Sequence, residues 1–109
     1  MALSQRNCRF ATGSHTGTGE YGASHANTLT FTQKPVFVCV TSDGTGMQLN
    51  LVSGQSSTLI SEGGVSTLAV TWGSKSVSWY VQNPSASGSA PAHQMNAASL
   101  YHYFAILEI

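Results

Sequence analysis

Apolar residues in this chain alternate with polar ones at a spacing of two, and nowhere do they hold a helical spacing over three turns. In Thr28-Leu29-Thr30-Phe31-Thr32, Leu29 and Phe31 share one side while three threonines share the other. Successive side chains leave an extended backbone on opposite faces, so this pattern predicts a half-buried strand. Met47, Leu49 and Leu51 repeat it, as do Leu68, Val70 and Trp72, and then Val77, Trp79 and Val81 against Ser76, Ser78 and Tyr80. Val36 to Val40 is apolar on both sides and predicts a central strand covered on both faces. Tyr101 to Ile109 carries apolar groups on both faces as well.

Turn formers separate these runs. Pro35 opens one strand, where a missing N–H is tolerated. Asp43-Gly44 lies in a hairpin-type turn, and Gly63-Gly64 and Gly73-Ser74 mark further turns. Asn83 to Ala92, rich in Pro, Ser, Ala and Gly, is expected to be a surface loop. Seven to eight short strands of this kind predict an all-β fold, an antiparallel β-sandwich of jelly-roll-like type. At 109 residues the chain makes one domain: an N-terminal segment or first strand over 1–15, and the sandwich over 16–109.

Charge then limits how such a sandwich can live. Charged residues make up 7% of the chain, with formal net charge zero, against about 25% in ordinary domains. Ser and Thr supply about a quarter of the residues instead. A surface so poor in charge is weakly protected against association, so a homo-oligomer, expected as a trimer, is predicted to cover part of it. The same balance gives no attraction to nucleic acid, and no run reaches the ~18 apolar residues of a membrane helix. The polar opening MALSQRNCRF is not a signal sequence, so synthesis in the cytoplasm is expected. Cys8 and Cys39 are too few for a disulfide framework, and their pairing stays open; Cys39, inside an apolar run, reads more readily as a buried free thiol.

Residues 17–22, GTGEYG, match the spacing of a dinucleotide-binding loop. That fingerprint works only where the glycines open a helix whose N-terminus receives the phosphates. Here Ala23-Ser24-His25-Ala26-Asn27 and a threonine-alternating strand follow, which excludes the nucleotide reading. The glycines serve a long exposed loop instead.

The order of these pieces carries a resemblance. A glycine-spaced loop (Gly17, Gly19, Gly22) leads to Asn27-Thr28-Leu29-Thr30-Phe31, and Pro35 opens an apolar strand. Trp72-Gly73, Val77-Ser78-Trp79-Tyr80, Gln94-Met95-Asn96 and the closing Tyr101-x-Tyr103-x-Ala105-Ile106 follow. Over residues 16 to 109 this series resembles the C-terminal tip domains of tail-fibre-like virion proteins of phages and prophages. The resemblance implies a small trimeric β-domain in the virion, made in the host bacterial cytoplasm, that meets the host surface and other virion proteins. With Met1 a short way before the glycine loop, the expectation is an excised tip or a short free-standing virion protein. The resemblance assigns no binding role to His25.

Titratable groups are sparse. The carboxylates Glu20, Asp43, Glu62 and Glu108 show no spacing that would face two of them across a cleft, and no G-x-S-x-G elbow occurs. The chain is therefore expected to be a non-enzyme without a cofactor, and a cell-wall polysaccharide hydrolase stands as a lesser alternative. His15, His25, His93 and His102 are scattered, so no metal is expected; His102 alone is placed to recur around a threefold axis. Carbohydrate binding fits better, since sugars are held by aromatic faces and neutral amides. Tyr21, His25, Tyr80, Gln82, Asn83 and Gln94 are the candidate ligand contacts, with a host surface saccharide as partner. Trp72 and Trp79 read as core, and Tyr101 and Tyr103 as packing or interface residues. A purely structural tail or head decoration protein is the main rival.

Overall fold

The computed structural model describes residues 8–61, 64–83 and 90–109, apart from the side chains of Cys8 and Asn83. Glu62, most of the Pro/Ser-rich loop and the first seven residues lie outside the described part. The strands are β1 (Cys8–Thr16), β2 (Asn27–Thr30), β3 (Pro35–Ser42), β4 (Gln48–Val52), β5 (Ser57–Ser61), β6 (Val65–Trp72), β7 (Ser76–Asn83) and β8 (Leu100–Glu108). They form two antiparallel four-stranded sheets, a front sheet in the order β1-β8-β3-β4 and a back sheet in the order β2-β7-β6-β5. The all-β sandwich expected from the alternation is what the chain forms.

Long-range pairing builds one half of each sheet, and local pairing builds the other. β1 pairs β8 and β2 pairs β7, a nested wrap of distant segments of the kind a jelly roll uses. The β3–β4 hairpin completes the front sheet, and the β5-β6-β7 meander completes the back. Pro35 opens β3 as predicted, with an irregularity in the register between it and Phe37. The alternating residues meet between the sheets: Val38, Val40, Leu49, Leu51, Ala105 and Leu107 from the front, Leu29, Leu68, Val70, Val77, Trp79 and Val81 from the back. Trp79 is completely buried there, whereas Trp72 is only partly buried and packs against the rim of the core. Tyr101 is buried, and Tyr103 packs edge-on against Phe31, 6.0 Å between ring centroids.

The two outer faces differ. The back sheet presents mainly hydroxyls, with Leu59 and Val65 exposed on β5 and β6: Thr28, Ser78 and Thr71 lie side by side across three strands, and Thr30 pairs with Ser76. Tyr80 sits beside Ala69, which pairs in turn with Ser57. The front sheet presents a hydrophobic band. Phe10, Ile106, Phe37 and Val52 align in one row across all four strands. Thr12, Phe104, Cys39 and Asn50 form the next row, and the Phe10 and Phe104 rings stack at 5.4 Å. Two expectations change here. This chain covers β3 on its inner side only, and Cys39 points outward, partly exposed, rather than into the core.

The register also settles the cysteines. Cys8 stands opposite Glu108 and Cys39 opposite Phe104, on either side of β8. Two strand spacings and four residues separate them by ~16 Å, against the ~4.4–6.8 Å that a disulfide spans between Cα atoms. An intrachain bridge does not form.

Candidate functional site

A buried polar corner stands where the surface loop was expected to end. Ala90–His93 form a single helical turn, α1. The Asn96 N–H reaches the Pro91 carbonyl at 2.8 Å and the Met95 N–H reaches Ala92 at 2.9 Å, the crossed pair that closes a Schellman C-cap. Glycine normally occupies the left-handed position of that cap; here it is Met95, with φ 60°. A left-handed methionine costs ~1–2 kcal/mol. Its side chain is fully buried in the core, which offsets the strain. Met95→Ala is therefore expected to destabilise more than Met95→Gly, by ~1 kcal/mol, because alanine keeps the strain and loses the packing. Paired urea titrations check the order, and a glycine variant the weaker of the two contradicts this account.

Side chains from several strands hold the corner in place. The Gln94 carbonyl accepts from Trp79 Nε1 at 2.8 Å and Asn27 Nδ2 at 2.7 Å. The Met95 carbonyl accepts from His15 Nε2 at 3.1 Å. Ser66 Oγ lies 2.7 Å from His93 Nδ1 on the buried side of α1. These contacts absorb backbone groups that the interior would otherwise leave unsatisfied.

The same corner fastens the glycine loop. Gln94 Oε1 accepts from the Gly22 N–H at 2.8 Å and the Val81 N–H at 2.9 Å, while Nε2 donates to the His25 carbonyl at 2.7 Å. Asn96 Nδ2 donates to Thr18 Oγ1 and to the Glu20 carbonyl, and its Oδ1 accepts from the Thr18 N–H. Gly17 packs so closely on the Asn96–Ala97 backbone that a methyl group there would fall on the Ala97 carbonyl oxygen. The loop predicted to be merely exposed is tied down along its length. GTGEYG leads into one 3₁₀ turn, Ala23–His25, and then β2, so no helix follows the glycines.

A cleft of about 230 Å³ opens beside this clamp, between the edge strands β1 and β2. Its walls are His15, Thr16, Ala26, Asn27, Thr28, Leu29 and Asn96. None of these is an acid, a lysine or an arginine, so the cleft suits a neutral polar group rather than a phosphate or a carboxylate. It is smaller than the roughly 300–1,000 Å³ of sites for drug-sized ligands, which fits a single ring. His15 Nε2 donates to the Met95 carbonyl, and its Nδ1 is buried with no hydrogen-bond partner among the described residues. Edge strand β2 adds a row of backbone groups that no strand among the described residues pairs.

None of the residues proposed from sequence lines this cleft. Tyr21 is exposed in the clamped loop. His25 is exposed one residue before Ala26, its Nδ1 3.4 Å from Glu20 Oε1. Tyr80 and Gln82 face outward on the back sheet, and Asn83 ends β7 with its side chain outside the described part. Gln94 is corrected: it is completely buried, and its amide joins the glycine loop to β7, so it supports the site from beneath rather than touching a ligand. His15, Asn27 and Asn96 were missed as wall residues. Their signal in the sequence was faint, an amide-rich Gln-Met-Asn and polar residues at positions whose strand neighbours face inward.

Other chemistry is limited. His102 Nδ1 donates to Asp43 Oδ1 at 2.7 Å on the front face, with Ser14 and Thr41 in register on either side. Both partners are about half-exposed, so this is a surface pair worth ~0–1 kcal/mol. Among the described residues no three His, Cys, Asp or Glu side chains gather to hold a metal. Comparison of the chain with protein-family models, curated proteins and solved structures finds no match.

Proposed function

We propose that this protein is a glycan-binding tip domain of a phage or prophage tail-fibre-like virion protein, acting as a homotrimer on host surface saccharide. The neutral, ring-sized cleft carries the reading. The uncharged amides of Asn27 and Asn96, the hydroxyls of Thr16 and Thr28 and the edge of β2 offer the kind of neutral donors and acceptors that a sugar ring takes. Tyr21, one residue beyond the Glu20 carbonyl that Asn96 holds, offers an exposed aromatic face in the clamped loop. The resemblance in the order of motifs supplies the virion setting. Single-ring sites bind weakly, and three of them on one rigid body gain affinity by avidity against a repeating polysaccharide.

Ala26 is exposed at the cleft wall, so Ala26→Trp fills the opening without disturbing the core. On an array of bacterial surface glycans, the wild-type oligomer is expected to bind neutral saccharides, and Ala26→Trp to lose at least about tenfold in signal, on the order of 1.4 kcal/mol. Tyr21→Ala is expected to weaken the same spots. A wild-type protein that binds no glycan favours the structural virion role, in which the hydrophobic front band meets other virion proteins.

A further inference from the structure

We infer that the outer face of the front sheet is the surface on which copies of this chain meet, with the hydroxyl-covered back sheet turned outward. The inference deepens the homotrimer reading by assigning its contact surface. Phe10, Ile106, Phe37 and Val52 form an unbroken apolar row, one residue from each strand of the sheet. Phe104 joins it from the next row and stacks on Phe10. Outward-facing side chains on a single-layer face are normally polar, because alternation buries only the inner set. Here Phe37 of β3 and Phe104 and Ile106 of β8 point outward as well, with Thr41, His102 and Glu108 flanking them, and Phe10 is 65% exposed. Contiguous apolar surface of this kind marks an interface.

Size and charge point to a second copy as the occupant. Strands of nine, nine, eight and five residues at ~3.3 Å per residue and ~4.8 Å spacing give a face of ~490 Å² in projection. Pleated side chains raise the accessible area above that figure, toward the ~800 Å² per partner of a standard stable interface. The two rows that make the band hold no ionised side chain, so three copies gather their bands about one axis without like-charge repulsion within the band, and the exposed Glu108 stays on the flanking row. Asp43 and His102 sit at the other, polar end of the sheet, beside Ser14, Thr41 and Gln48, where a rim would lie. The apolar-on-both-faces pattern of β3 then has its reason: one side is covered within the chain and the other between chains.

The test is the solution mass of Phe10→Asp/Phe104→Asp by sedimentation velocity and light scattering, beside wild type and Leu59→Asp. Leu59 is 67% exposed on the back sheet and serves as the matched control. Wild type and Leu59→Asp are expected at three times the 11.4 kDa chain, and the double variant at 11.4 kDa with an unchanged far-ultraviolet β spectrum. Should the double variant unfold, Phe10→Ser, which only shortens one exposed side chain, is expected to raise the dissociation constant at least tenfold. A monomeric wild type overturns the inference, as does a double variant that keeps the full mass or a Leu59→Asp that loses it. Glycan binding reads out separately: an oligomer that binds no sugar defeats the lectin reading alone, a sugar-binding monomer defeats the homotrimer reading and this inference with it, and a trimer that survives Phe10→Asp/Phe104→Asp defeats this inference alone.

Discussion

Trp79→Ala is expected to cost ~3–5 kcal/mol, the range for truncating a large buried aromatic side chain. Trp79 is completely buried between the sheets, and its indole N–H also satisfies the Gln94 carbonyl at 2.8 Å. Truncation opens a cavity in the middle of the core and removes one of the two side-chain donors on that carbonyl. Domains of this size hold ~5–15 kcal/mol in total, so the variant sits at the edge of folding. Urea unfolding followed by circular dichroism measures the loss. Trp79→Phe, which keeps most of the volume and drops the donor, is expected to lose ~1–2 kcal/mol, the share of the hydrogen bond. An alanine variant with near wild-type stability would mean that the core does not close around this ring.

Gln94→Met keeps the length of the side chain and removes its hydrogen bonds. Gly22 and Val81 lose their acceptor, and the His25 carbonyl loses its donor. An unmet buried polar group costs ~1–3 kcal/mol. Val81 lies in the core and pays in full, while Gly22 and His25 recover part of the cost from water by lifting the loop. The expected total is about 3 kcal/mol, and the consequence is local as well as global. Amide exchange at Gly22 should accelerate to the rate of an unprotected loop, while the strand amides of β3 and β8 keep their protection relative to global unfolding. Under the proposed lectin function, glycan binding falls with it, since the cleft wall is built on the same corner. Slow exchange at Gly22 in this variant would show that the glycine loop stands without Gln94.

These two residues show how unevenly the molecule can be read from its chain. Trp79 announces itself, because it alternates with Val77 and Val81, and that period has one structural meaning. Gln94 does not. A glutamine after a Pro/Ser/Ala stretch looks like surface, and only the pairing of β2 with β7 around it turns the amide into an internal fastener. Met95 is equally opaque, since its left-handed backbone belongs to a cap usually made by glycine. His15 and Asn27 become cleft walls because β1 and β2 end as edge strands at the same corner, a fact no local window contains.

Local chemistry alone decided most strands and turns and the inner face of the back sheet, because side-chain period and turn residues act within a few positions; for β3 and β8, apolar on both sides, it left the inner face open. The scarcity of charge was equally legible. Which strands neighbour one another was decided by tertiary pairing between segments up to a hundred residues apart, and everything specific followed from that register. It separated Cys8 from Cys39, aligned Phe10, Ile106, Phe37 and Val52 into one band, and closed the 94–96 corner over the glycine loop. Period fixes the side of a sheet on which a residue lies; only the packed chain fixes what stands beside it.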